Sequence, residues 1–269
     1  MLYPVDDSGH PLAERFQAFI RDPAFPCVGA KSALAKEQMR IVVGRDMCSA
    51  WDDLRIYPNL LDLASSYARE PTLFHSLAVL FETDNALDEE AFERCLWARL
   101  ESLTDKDDFH GQRADPRVSA DPGDPHFSLS FGGEAFFVVG LHPQASRPAR
   151  RFERPALIFN LHDQFVQLRA SGVYDKMRST IIARDVALAG DINPMLARHG
   201  SVSEARQYSG RAVGADWACP FAGRSGAFAP GGKGRTMSPD LRSADVAENP
   251  MGARSRCAIA QRRLSHDGN

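Results

Sequence analysis

The sequence predicts an α/β (α+β) fold: a single domain with a mostly antiparallel sheet flanked by helices, followed by a disordered C-terminal tail. Three observations predict it. Short β-rich runs alternate with longer segments whose apolar residues recur at helical spacing. A Gly132-Gly133 pair joins two of those runs as a hairpin, which sets an antiparallel pairing. After Phe221 the composition shifts to Gly, Ser, Ala and Arg with few large apolar residues, too few to offset the entropy of ordering. The domain therefore spans 1–221 and the basic tail 222–269.

Each element has a local reason. Residues 11–21 start on a proline and place Leu12, Phe16, Phe19 and Ile20 on one helical face. Phe25-Pro-Cys-Val-Gly-Ala is too rich in Pro and Gly for regular structure. Lys31 to Arg40 then reads as a helix feeding a short strand, Ile41-Val-Val. Residues 57–69 are helical with Leu60, Leu61, Leu63 and Ala64 inward, 72–81 form a strand, and 88–103 form a helix with an acidic first turn that suits its dipole. Residues 104–125, dense in Asp, Gly and Pro, read as a long loop. Phe127, Leu129 and Phe131 alternate with polar neighbours and Glu134–Leu141 is apolar, giving the hairpin. Pro155–Phe159 is a third strand, Asn160 caps a helix that stops at Gly172, and Tyr174–Leu188 is the last helix.

Charge and cysteine usage narrow the function. Net charge is −3, but the tail carries 8 basic against 4 acidic residues, which leaves the body at −7. An acidic body argues against a nucleic-acid partner bound by neutralising many phosphates. The five cysteines are odd in number and scattered, with no C-x-x-C pair, so a disulfide scaffold is not expected. The first residues lack the pattern of a signal peptide and no run reaches the length of a membrane span. The expectation is a soluble, cytoplasmic protein without a membrane partner.

The densest polar cluster follows the second hairpin strand, where Arg147, Arg150 and Arg151 lie within five residues of one another. Guanidinium forks pair bidentately with carboxylates, so these arginines could hold a ligand carboxylate, or they could simply form a solvated basic loop. His142 stands just past a strand end and His162 in the first turn of a helix, where the dipole favours a neutral, metal-ligating imidazole. The plain alternative is that each satisfies a backbone group. No H-E-x-x-H, G-x-S-x-G or P-loop is present. Asp52-Asp53 reads as a helix start and Asp107-Asp108 as part of a solvated loop.

Six blocks in order, Phe25-Pro-Cys-Val-Gly-Ala-Lys-Ser, Phe136 to Phe152, Pro155 to Phe165, Asn193-Pro-Met-Leu, Ser203 to Arg211 and Trp217-Ala-Cys-Pro-Phe, resemble those of the YqcI/YcgG family. The resemblance implies a haem-dependent N-oxygenase that uses dioxygen and an external electron-donor reductase to hydroxylate a guanidine or amine nitrogen of a small amino-acid-like substrate. It further implies His142, His162 or Cys219 as iron ligand, Arg147, Arg150 and Arg151 on haem propionates or a substrate carboxylate, and Glu204 facing a cationic substrate. The alternatives are a haem-binding sensor or carrier without turnover, and an interaction module without haem.

Overall fold

One sheet organises the chain, in the strand order β1-β2-β5-β4-β3. The strands are β1 (Met39–Gly44), β2 (Ser76–Phe81), β3 (Leu129–Phe131), β4 (Glu134–Leu141) and β5 (Ala156–Leu161). Only β1 and β2 run parallel; the other three pairings are antiparallel. The structure, a computed structural model, describes residues 3–83, 87–196 and 200–223, so the expected disordered tail lies outside the described residues apart from its first two positions.

Side chains alternate across the sheet, and each face has its own helices. Val42, Val79, Phe136, Val138, Leu157 and Phe159 point to a face covered by α3 (Asp53–Arg69) and α4 (Glu89–Phe109), where they join Leu60, Leu63, Phe92, Leu96 and Leu100. Ile41, Val43, Ala78, Leu80, Leu141 and Ile158 point the other way, towards α1 (Pro11–Arg21) and α2 (Val28–Ala35). On α1 the buried set Leu12, Ala13, Phe16 and Ile20 is the helical stripe expected from the sequence. Three further helices follow: α5 (His162–Ala170), α6 (Val173–Ala189) and the single turn α7 (Ala205–Tyr208).

The hairpin forms as the sequence predicts, with Gly132 at φ 59° and Gly133 at φ 85°, the left-handed pair that a two-residue turn requires. Several boundaries differ: the helix expected over 31–40 ends at Ala35, β1 starts at Met39 and the strand expected over 72–81 starts at Ser76. Residues 28–30 belong to α2, because the Cys27 sulfur accepts the Ala30 N–H at 3.4 Å and so caps a helix start inside the Pro/Gly segment. α3 begins at Asp53, four residues early, with Pro58 inside its second turn. α4 runs on to Phe109, and Asp107 is not solvated: it is fully buried and accepts from Tyr57 Oη at 3.1 Å and Gly132 N at 3.0 Å. Asn160 is not a helix cap but a strand residue paired with Phe137 and Ser76, since the edge-to-edge pairing continues through Leu161.

The cysteine reading also changes. Cys48 and Cys95 form a disulfide, because the turn after β1 brings Cys48 over α4 and sets the two Cα atoms 4.9 Å apart across a sequence separation of 47. Cys27 and Cys219 are free thiols.

Gly140 in β4 shows how closely α4 meets the sheet. A Cβ there would stand 2.6 Å from Phe92 Cε1 and 2.9 Å from Leu96 Cδ1. Gly140→Ala is therefore expected to lower stability by about 1–3 kcal/mol through overpacking. Chemical denaturation checks it, and a midpoint equal to that of the parent protein would mean that α4 shifts freely.

Candidate functional site: a cavity under helix α6

On the second face, α1, α2, α5 and α6 stand around a cavity of about 390 Å³, within the range of small-molecule and cofactor sites. Its floor is the outward side of the sheet, Met39, Phe137, Val139, Leu141 and Ile158, and α1 adds Phe16 and Ile20. Its roof is α6. Of the seventeen residues in α6 only Asp185 is buried. Met177, Ile181 and Ile182 line the cavity and are half-buried. A helix gains most of its stability in a protein from packing an apolar face, and α6 turns part of its apolar side to the cavity.

Arg147 ties the roof down. Its guanidinium forks onto Asp185 in α6 and Asp191 just beyond it. Arg150 is held differently: it donates to the carbonyls of Gly140 at 2.9 Å, Gln207 at 3.0 Å and Tyr208 at 3.3 Å. No carboxylate among the described residues forms an ion pair with Arg150. Withdrawal from bulk water lowers its pKa to about 10, so it remains a cation at neutral pH. It is thus a positive charge on the cavity wall held directly by carbonyl dipoles, with Asp185 and Cys27 acting on it at longer range. Arg151 turns back to donate to Ala145 O at 2.7 Å and Ser146 O at 2.9 Å, and does not line the cavity.

Glu204 supplies the opposite charge. It lines the cavity beside Gln207, and its Oε2 lies 3.4 Å from Ser128 Oγ and 3.7 Å from His162 Nδ1. His162 is the first residue of α5, and its Nδ1 lies 3.0 Å from Ser128 Oγ. It stands behind Glu204 and does not line the cavity.

His142 and Cys219 lie elsewhere. By the alternation that sends Phe136 and Val138 towards α4, His142 goes to the same side, where it stacks on Phe92 with ring centroids 4.3 Å apart. Burial keeps its imidazole neutral by lowering its pKa. Cys219 packs against the α3/α4 core, and burial pushes its thiol up to about 12.

The donor atoms that do face the cavity were not singled out from the sequence. They are Cys27 and His75. Cys27 ends the irregular stretch before α2 with its sulfur at the helix start, and burial raises its pKa while the Ala30 and Gly29 N–H groups and the charge of Arg150 oppose that rise. His75 approaches Thr72 Oγ1 to 2.5 Å through Nε2, and burial, then Arg40, lowers its pKa. The available signal was the run Cys27-Val-Gly-Ala, a capping-type side chain before small residues that let a helix approach closely.

Every residue lining the cavity falls between Phe16 and Gln207. The model of the YqcI/YcgG family matches residues 16–222. The chain belongs to the YqcI/YcgG family. No curated protein and no solved structure matches it. In this YqcI/YcgG protein the matched span thus holds the whole sheet, the cavity and its charged wall. No helix among the described residues is long and apolar enough to cross a membrane.

Proposed function

We propose that this YqcI/YcgG protein is a haem-dependent N-oxygenase whose cofactor and substrate share the cavity under α6. The observation that carries the reading is the roof helix, whose half-buried Met177, Ile181 and Ile182 line the cavity opposite an apolar floor of sheet residues. A planar apolar cofactor with carboxylate arms suits that shape and the carbonyl-held cation of Arg150. Haem iron would need only one donor from the protein, so the absence of a three-ligand cluster among the described residues does not count against it. Bound there, haem supplies dioxygen activation, with electrons drawn from a reductase.

The protein's own residues do the rest. Cys27 would be the iron ligand favoured over His142, His162 and Cys219, because it lines the cavity at a helix start whose N–H groups favour a thiolate. Metal binding deprotonates a coordinating thiol outright, which offsets its raised pKa. His75 is the other wall donor. Arg150 takes a propionate or a substrate carboxylate. Glu204 orients a guanidine or amine and accepts its proton, because a protonated nitrogen is a poor nucleophile. Closure by α6, latched through Arg147, excludes water. In a cytoplasmic setting, which we also propose, cellular reductants would compete with the Cys48–Cys95 disulfide.

The test is spectroscopic. Full-length protein titrated with haemin should develop a Soret band, and its reduced carbon monoxide adduct should show the long-wavelength maximum of thiolate ligation. Cys27→Ser should abolish that signature while His142→Ala and Cys219→Ser retain it. A thiolate signature that persists in Cys27→Ser returns the ligand to another residue. No Soret band under any condition removes haem altogether. Amine-dependent oxygen uptake then separates an oxygenase from a haem carrier.

A further inference from the structure

Behind Glu204 lies a second space. A crevice of about 10 Å³, enough for roughly one water, is bounded by Ser128, Ser119, Ser130 and Phe221 and by Ala120, which is exposed at the surface. Ser128 is the residue common to both sides: it lines the crevice, and its Oγ reaches Glu204 Oε2, which belongs to the wall of the main cavity. His162 Nδ1 sits 3.0 Å from the same hydroxyl.

Hydrogen-bond bookkeeping gives this trio a direction. A hydroxyl carries a single proton. If Ser128 donates it to the acceptor-only carboxylate of Glu204, its oxygen must receive a proton from His162, which fixes the imidazole as the Nδ1–H tautomer. Tyr208 in α7 also shares a hydrogen bond with Ser128 while donating its own hydroxyl to Phe136 O at 3.2 Å, so the serine proton can turn to Tyr208 or to Glu204, and in either case the serine oxygen is open to the proton of His162. Asp163, next to His162, is taken up by Tyr67 at 2.8 Å, Gln167 at 2.8 Å and Arg117 at 3.3 Å. Cys219, near Tyr208, is held as the neutral thiol by burial.

We propose that His162, Ser128 and Glu204 form a proton route joining the surface crevice to the main cavity. The route rests on the reading of that cavity as the reacting site. Hydroxylating a nitrogen with dioxygen places one oxygen atom on the nitrogen and releases the other as water. This consumes a pair of electrons, supplied by the reductase, and a pair of protons. Once ligand fills the mouth of the cavity, those protons need a second way in. Glu204 delivers them, Ser128 reloads Glu204 from crevice water, and His162 holds the serine hydroxyl in place through Nδ1.

The experiment has two arms on the full chain. Histidine labelled with nitrogen-15 reports the tautomer by long-range proton–nitrogen NMR, without ligand or turnover. His162 is expected as Nδ1–H, and Ser128→Ala is expected to relax that preference. An Nε2–H ring in the parent protein overturns the route. In the second arm, Ser128→Ala should lower kcat for amine-dependent oxygen uptake by about 10- to 100-fold. It should leave KM unchanged and enlarge the solvent deuterium isotope effect. Ser128→Thr, which keeps the hydroxyl, should restore the rate. An unchanged kcat in Ser128→Ala overturns the proposal even if the tautomer is as expected. If the parent protein consumes no oxygen with any amine tested, the functional reading and with it the route's oxygenase role fall, while the first arm still decides the hydrogen-bond direction.

Discussion

Replacing Asp53 with alanine should lower the unfolding free energy by about 3–5 kcal/mol, as much as truncating a large core side chain. Asp53 opens α3 and has no exposed surface. Its carboxylate takes the guanidinium of Arg99, whose side chain is 3% exposed, together with Lys106 Nζ at 2.8 Å and Ser102 Oγ at 2.6 Å. Removing it strands the Arg99 charge beneath α3, with the Met47 carbonyl at 3.2 Å as its remaining partner. Lys106, one third exposed, can turn to water. The pair therefore matters more when broken than when absent, and the double change Asp53→Leu with Arg99→Met should recover most of the loss. Urea unfolding of the two variants decides this. A single variant within about 1 kcal/mol of the parent would show that water reaches Arg99.

Arg150→Met should be the most damaging change within the cavity. The side chain's length and apolar stem are kept, but the donors to Gly140, Gln207 and Tyr208 are lost. Those bonds tie β4 to α7, the turn that follows Glu204. The expected cost is about 3 kcal/mol in stability. Loss of the charge should also weaken haemin binding by roughly 10- to 100-fold, the worth of a charge-assisted bond. Arg150→Lys should recover part of the affinity but less of the stability, because an ammonium cannot span three carbonyls as a planar fork does. Haemin titration and thermal unfolding on the same samples separate the effects. Full affinity in Arg150→Met would make this arginine purely architectural.

Much of the fold could be read from local pattern. The hairpin followed from Gly132-Gly133 between alternating runs, and α1 from its proline start and apolar spacing. The reading failed where a tertiary partner decided. Asp107 looked solvated because its neighbours are polar, yet Tyr57 and the Gly132 amide come to it from 50 and 25 residues away. Asn160 had the chemistry of a cap, but pairing with β4 kept it extended. The cavity was partly legible. Arg147, Arg150 and Glu204 line it, as residues singled out for binding. His142 is separated from them by the sheet's alternation, which can be counted along Phe136, Val138 and Gly140 once the strand is recognised. Cys27 and His75 carried no comparable signal, because their place on the wall depends on how α2 and the chain before β2 fold over a sheet assembled later.

That order of assembly has a consequence during synthesis. β2, Ser-Leu-Ala-Val-Leu-Phe, is buried at all six positions and sits between β1 and β5. Its antiparallel partner arrives late: Ser76 pairs with Asn160, about 80 residues further along the chain. A growing chain that has emitted β2 therefore holds an apolar, uncharged, β-prone segment with one edge open until β5 emerges. The hairpin of β3 and β4 can close on local contacts alone, but it cannot cover that edge, because β5 stands between them. Ribosomal pausing or truncation anywhere between β2 and β5 exposes the same segment, so partial chains of this protein are aggregation-prone even where the finished fold is stable.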